Sequence, residues 1–161
     1  MADFKLPKGI DEIVEGKLLD EGMYVVRITD EPQVVDNKKK QAGMSAEEGA
    51  GENLIVKLRI QSDKPDENGR AFTCYLPWPN EADALRPPNP FSGQPRLDEK
   101  IQKLVMWHAA FNGGTMPKGT KIKLEAGSEA RIFVKKGVDN RDQDNPVERN
   151  EIDFNAIPEP L

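Results

Sequence analysis

A chain of 161 residues with 37% hydrophobic side chains suffices for one core of ordinary size and is too short to favour two full domains. One cysteine, Cys74, excludes an internal disulfide, and with a single histidine, His108, the usual Cys/His zinc site cannot be assembled. No apolar run approaches the ~18 residues of a membrane helix, and the opening MADFKLPKGIDEIVEG lacks the basic start and apolar middle of a secretion signal, so a cytoplasmic protein without cofactor or structural metal is expected.

The net charge of −5 argues against a polyanionic partner until its distribution is considered. Residues 1–36 carry 4 basic and 9 acidic side chains, residues 137–161 carry 2 and 7, and the middle carries 17 and 12. A positive centre therefore lies between acidic ends. That pattern suits a folded body that binds a polyanion, with ends that discourage unspecific contact or recruit partners.

In chain order, residues 1–21 read as an arm with at most a short helix. Ile10, Ile13, Val14, Leu18 and Leu19 have rough helical spacing, but Pro7, Gly9 and Gly16 interrupt it. The first strand is expected at 23–29, where Tyr24, Val26 and Ile28 share one face and Arg27 stands on the other. Pro32 bends or ends it, with 33–35 as a twisted extension. Residues 37–52 (NKKKQAGMSAEEGAGE) hold almost no large apolar side chain and predict a long mobile loop, whose Lys38–Lys40 either solubilise it or close over a ligand. NLIVKLRIQ at 53–61 is the clearest strand, with Leu54, Val56, Leu58 and Ile60 on an apolar face and Lys57 and Arg59 opposite.

A turn at Asn68-Gly69 leads into RAFTCYL at 70–76, where Phe72, Cys74 and Leu76 alternate against Tyr75, completing a three-stranded meander. Proline density makes 77–96 a loop, in which Trp78 either stacks on a base or caps the end of the sheet. LDEKIQKLVMWHAAF at 97–111 is the one good helix, with Ile101, Leu104, Val105, His108 and Phe111 as its stripe, Trp107 off it, and Gly113-Gly114 as its stop. Residues 118–124 are either a short strand or an approach to the final hairpin at 130–154. In that hairpin Ala130, Ile132 and Val134 face one way, and Arg131, Phe133 and Lys135 the other. A ring between two cations on a half-exposed sheet suits a nucleic-acid strand, with bases on the ring and phosphates near the charges.

The chain resembles a family of phage-encoded single-stranded DNA-binding proteins with an oligonucleotide/oligosaccharide-binding (OB) fold. The likeness is carried by G-x-Y-x-V at Gly22–Val26, NLIVKLRI, G-R-x-F at Gly69–Phe72, the helix, and FVKKGVDN followed by RNEIDF at Phe133–Phe154. It implies a five-stranded antiparallel barrel over about 22–155 with a helix between strands three and four, followed by a short tail from 156 to 161. It also implies single-stranded DNA binding without sequence preference, in replication or recombination and in a host cytoplasm, with the acidic ends available to other proteins of those processes.

Arg27, Lys57, Arg59, Arg131, Lys135, Lys136 and Arg149 are the candidate phosphate contacts, and Phe133, Tyr75 and Trp78 the candidate stacking rings. No catalytic set is apparent. His108 has no nucleophile or orienting acid at a matching position, and Asp139, Asp142 and Asp144 read as a solvated turn rather than a nuclease centre. A second reading is a non-enzymatic interaction or virion-assembly module that uses an exposed sheet.

Overall fold

A computed structural model describes residues 2–13 and 16–161; Val14, expected in the apolar patch of the arm, lies outside the described residues. The fold is mostly β, one antiparallel sheet of six strands: β1 (Gly22–Ile28), β2 (Gln33–Asp36), β3 (Glu52–Ile60), β4 (Ala71–Trp78), β5 (Glu129–Asp139) and β6 (Val147–Ile152). β1 pairs with β3 and β5, β6 flanks β5, and β4 flanks β3. The expected extension after Pro32 is a strand of its own, β2. It follows β1 along the same edge of β3, with Val26 opposite Ile60 and Gln33 opposite Ile55. The break falls where Pro32 has no N–H to offer the ladder.

The expectation of a closed five-stranded barrel is corrected here. There are six strands, and among the described residues no ladder joins the outer edges of β4 and β6. Pro77 sits comfortably inside β4, which thus runs two residues beyond the expected end, because β4 is an edge strand and a missing N–H costs nothing on its open side.

Strand alternation builds the core. Val26, Ile28, Val56, Leu58, Ile60, Cys74, Leu76, Ala130, Ile132 and Val134 all point inward and are almost wholly buried. Burial pushes the Cys74 thiol up to about 12, so it is an inert packing group. The helix α2 (Arg96–Phe111) covers this core, with Leu104, Trp107, His108, Ala110 and Phe111 buried. The stripe is rotated from the expected one, because Trp107 is inside and Ile101 is exposed. Positions 104, 107, 108 and 111 fit helical spacing as well as 101, 104, 108 and 111 do, and the larger ring takes the interior by stacking 5.8 Å from Phe111 and 6.3 Å from Phe154. Gly113 and Gly114, at φ 64° and 88°, turn the chain out of α2 as only glycine does readily.

The connections are more ordered than their composition suggests. Asn37 caps the one-turn helix α1 (Lys38–Gln41) by accepting the Lys40 N–H, and the same side chain accepts the Gly51 N–H and donates to the Gly49 carbonyl. The loop expected to be mobile is thus closed on a single polar residue. In the proline-rich loop, a 3-10 turn at Glu81–Leu85 carries the buried Asp83, which pairs with Lys100 of α2 at 2.8 Å and accepts the Asn80 N–H. Removing Lys100 would strand a buried carboxylate, typically a loss of roughly 3–5 kcal/mol.

The arm is anchored at buried Leu19, whose N–H and C=O bond the Asn150 side chain at 2.7 and 3.0 Å. At the other end the tail lies along β5, with Arg131 and Glu159 exchanging backbone bonds. Residues 118–124 form no strand. They are held instead by the Lys123 N–H, which donates to His108 Nδ1 at 2.8 Å, and by Asn112, which donates to the Lys123 carbonyl.

That bond needs a neutral imidazole. Burial, with the Lys123 charge adding to it, lowers the His108 pKa below its ordinary 6.5. A depressed histidine contributes stability above its unfolded pKa and loses it as pH falls through the folded one. The melting temperature should therefore drop on acidification below 6.5. His108→Gln, whose side-chain oxygen can still accept the Lys123 N–H, should show a flatter profile, and parallel profiles for the two proteins would remove this assignment.

Candidate nucleic-acid interface

The ladder registers fix which candidates share a face. Buried Val26 and Ile28 point one way, so Arg27 between them points the other; it lies directly opposite Arg59 of β3 on one side and Glu129 of β5 on the other. One step along, Val25 is opposite Arg131, and Met23 is opposite Phe133. On β3 and β4, Lys57 faces Thr73, Ile55 faces Tyr75, and Arg59 faces Ala71. Arg27, Lys57, Arg59, Tyr75, Arg131, Phe133 and Lys135 therefore all stand on the outer side of one sheet. Phe133 is half-buried beside Met23, and Tyr75 is 56% exposed and diagonal to Lys57.

Two candidates fall elsewhere. Trp78 has the inward phase of Phe72, Cys74 and Leu76 and packs against the core, so it caps the sheet rather than offering a ring to solvent. Lys136 alternates with Lys135 and emerges on the opposite side, across from Asn150. Alternation forbids both lysines from serving one face. Arg149, opposite Gly137, returns to the outer side at the far end of the hairpin.

Between the unpaired edges of β4 and β6 runs a cleft of about 440 Å³ that gathers Tyr75, Lys135, Arg149 and Phe154 over a floor of Phe72 and Ile152. Phe154 was not among the sequence candidates. It follows β6 in a turn, where strand phase says nothing, and the structure stacks it on Trp107 with the Lys103 ammonium 5.5 Å from its ring centroid. Its presence in the RNEIDF segment was the available signal.

Much of the positive charge is already answered. Arg27 pairs with Glu129 at 2.8 Å, Lys57 with Asp30 at 3.6 Å, Lys135 with Asp153 at 3.9 Å, and Arg149 with Asp139 and Glu151 at 3.5 and 3.8 Å. Among the described residues, Arg59 and Arg131 have no carboxylate partner within 4.0 Å; Arg59 reaches the Gly69 carbonyl at 3.5 Å and Arg131 the Pro160 carbonyl at 3.2 Å. Half-exposed pairs of this kind are worth roughly 0–1 kcal/mol each, so a phosphate can displace the carboxylate, but each pair subtracts from the attraction.

In the lysine loop, Lys39 donates to the Glu48 carbonyl and Lys40 pairs with Asp36 at 3.1 Å, so these side chains staple the loop itself. No protein-family model matches the chain, and a search of curated proteins finds no match.

Asp139, at the end of β5, is tied to Arg141 rather than grouped with Asp142 and Asp144. The Arg141 guanidinium and N–H, with the Arg149 charge beyond them, hold its carboxyl down at about 2. A carboxyl-detected NMR titration should find it there, and Arg141→Ala should return it toward 3.8. An unmoved titration in that variant would separate Asp139 from Arg141.

Proposed function

We propose that the chain is a non-enzymatic binder of single-stranded DNA without sequence preference, protecting the strand during phage replication or recombination in a host cytoplasm. The observation that carries this reading is the adjacency of Arg59, Arg27 and Arg131 on one outer face, with Phe133 two positions along β5 from Arg131. Cations at that spacing attract successive phosphates, and a half-exposed ring accepts a base of any identity. Support also comes from topology. If β1 and β2 are counted as one bent strand, the sheet has five antiparallel strands with α2 between the third and fourth, the count and helix position that the OB resemblance implies, although among the described residues no ladder joins β4 to β6.

The ion pairs moderate the expected salt dependence. With about two to four phosphates contacted and a slope near −0.7 per contact for single strands, a fourfold rise in salt should weaken binding by roughly 7-fold to 50-fold.

Fluorescence anisotropy with labelled oligo-dT, on variants shown to be folded by circular dichroism, tests the face. Phe133→Ala should cost roughly 1–3 kcal/mol, and Arg59→Ala/Arg131→Ala should weaken binding and reduce the salt slope by about two contacts. Unchanged affinity in both would remove this face from the reading. Glu129→Gln should act in the opposite direction and tighten binding at low salt, because it releases Arg27 from its only carboxylate partner among the described residues. A weakened or unaltered affinity in Glu129→Gln would mean that Arg27 meets no phosphate.

A second reading draws on the sheet edges. The tail already adds a strand-like bridge to β5, and β4 and β6 present open edges, so an interaction or assembly module that takes up an extended partner chain fits the same features. Absence of any anisotropy change at low salt favours that alternative.

A further inference from the structure

Away from this face, a cleft of about 880 Å³ opens between the Ser45–Glu47 turn and the proline-rich loop. Leu85, Pro88, Pro90 and Ala46 line it, together with Arg86 and Arg96 and one carboxylate, Glu47. Leu85 is 87% exposed there, although the turn carrying it is pinned by the buried Asp83–Lys100 pair, so an apolar side chain is held out to solvent by a rigid support. Neither Arg86 nor Arg96 has a carboxylate within 4.0 Å among the described residues; Arg96 reaches only the Pro87 carbonyl.

The arm offers the complementary surface. Phe4, Ile10 and Ile13 are 91%, 75% and 61% exposed, so three large apolar side chains of one short arm stand in solvent together. A 3-10 turn spans Ile10–Glu12, fixed by the Glu12 carboxylate accepting the Gly9 N–H at 2.9 Å. In that geometry positions three apart eclipse, so Ile10 and Ile13 form one apolar ridge with Asp11 and Glu12 beside it. The turn thus joins an apolar ridge to two carboxylates, and the cleft joins an apolar floor to two unanswered guanidiniums. None of the described arm residues lines the cleft of its own chain.

We propose that the Ile10–Ile13 turn of one copy docks in the proline-lined cleft of a second copy, with Ile10 and Ile13 against Leu85 and the prolines, and Asp11 and Glu12 opposite Arg86 and Arg96. The contact joins different surfaces of the two copies, so it either closes by reciprocal exchange of arms or continues from copy to copy, and sedimentation distinguishes the two by the size of the species formed. It does not depend on the nucleic-acid reading.

Sedimentation velocity on the full chain, without nucleic acid and over rising protein concentration, is the test. The wild-type chain should self-associate. Ile10→Asp/Ile13→Asp and, separately, Arg86→Glu/Arg96→Glu should each weaken association by about tenfold or more. Combining Arg86→Glu/Arg96→Glu with Asp11→Arg, which leaves the Glu12 bond to the Gly9 N–H in place, should recover a measurable part of it, which a merely misfolded loop would not do. A wild-type chain that stays monomeric at ~1 mM, a concentration at which even weak specific contacts populate, overturns the proposal. So does association that survives both double variants, or failure of the charge-reversed combination to recover.

Discussion

The pairing of β1 between β3 and β5 is the constraint on which the rest depends. Val26 is opposite Ile60 on one side and Ala130 on the other, and all three are fully buried. Because side chains alternate, burying this row forces Arg27 outward with Arg59 and Glu129 beside it, and the next rows bring Arg131 and Phe133 to the same side. A slip of β1 by one residue against both neighbours would turn Arg27 into the core and Val26 and Ile28 out of it, burying an unpaired charge at a large desolvation cost. Core packing and the outer charge pattern are therefore one decision made once, by register.

The same register explains why the outer face is less positive than its cations suggest. Glu129 is at the ladder position opposite Arg27, and Asp153 and Glu151 come alongside Lys135 and Arg149 because the β5–β6 hairpin closes there. A surface whose cations carry intramolecular partners has those side chains held in place without a ligand. On the proposed reading, a phosphate on a chain already held by a stacked base would have to displace those carboxylates. Arg59 and Arg131, which lack such partners among the described residues, would make the first contacts, and the paired cations would follow.

The strands were legible in the sequence because their alternation is strong. NLIVKLRI has no competing period, and the inward and outward sets of β1, β3, β4 and the first half of β5 emerge as read. What resisted reading depended on long-range partners. Trp107 and Ile101 sit on overlapping stripes of α2, and only the presence of Phe111 and Phe154 decides that the tryptophan goes inside. The 37–52 loop looks structureless by composition because it is closed by polar side chains, above all Asn37 bonding across fourteen residues, with Lys39 and Lys40 adding to it. Lys136 and Trp78 were grouped with their neighbours by sequence proximity, whereas strand phase sends them to the other side. The seam between β4 and β6, with Phe154 in it, exists only once the sheet has curved.

The most direct test of the outer face is a residue-resolved one: amide chemical-shift changes in the isotope-labelled chain on titration with oligo-dT. The account predicts a contiguous set of shifts over Met23–Arg27, Lys57–Arg59 and Arg131–Lys135, with Lys136 and the core side of α2 little affected. Shifts confined to the proline-rich loop or the arm, or none at all at low salt, would contradict it.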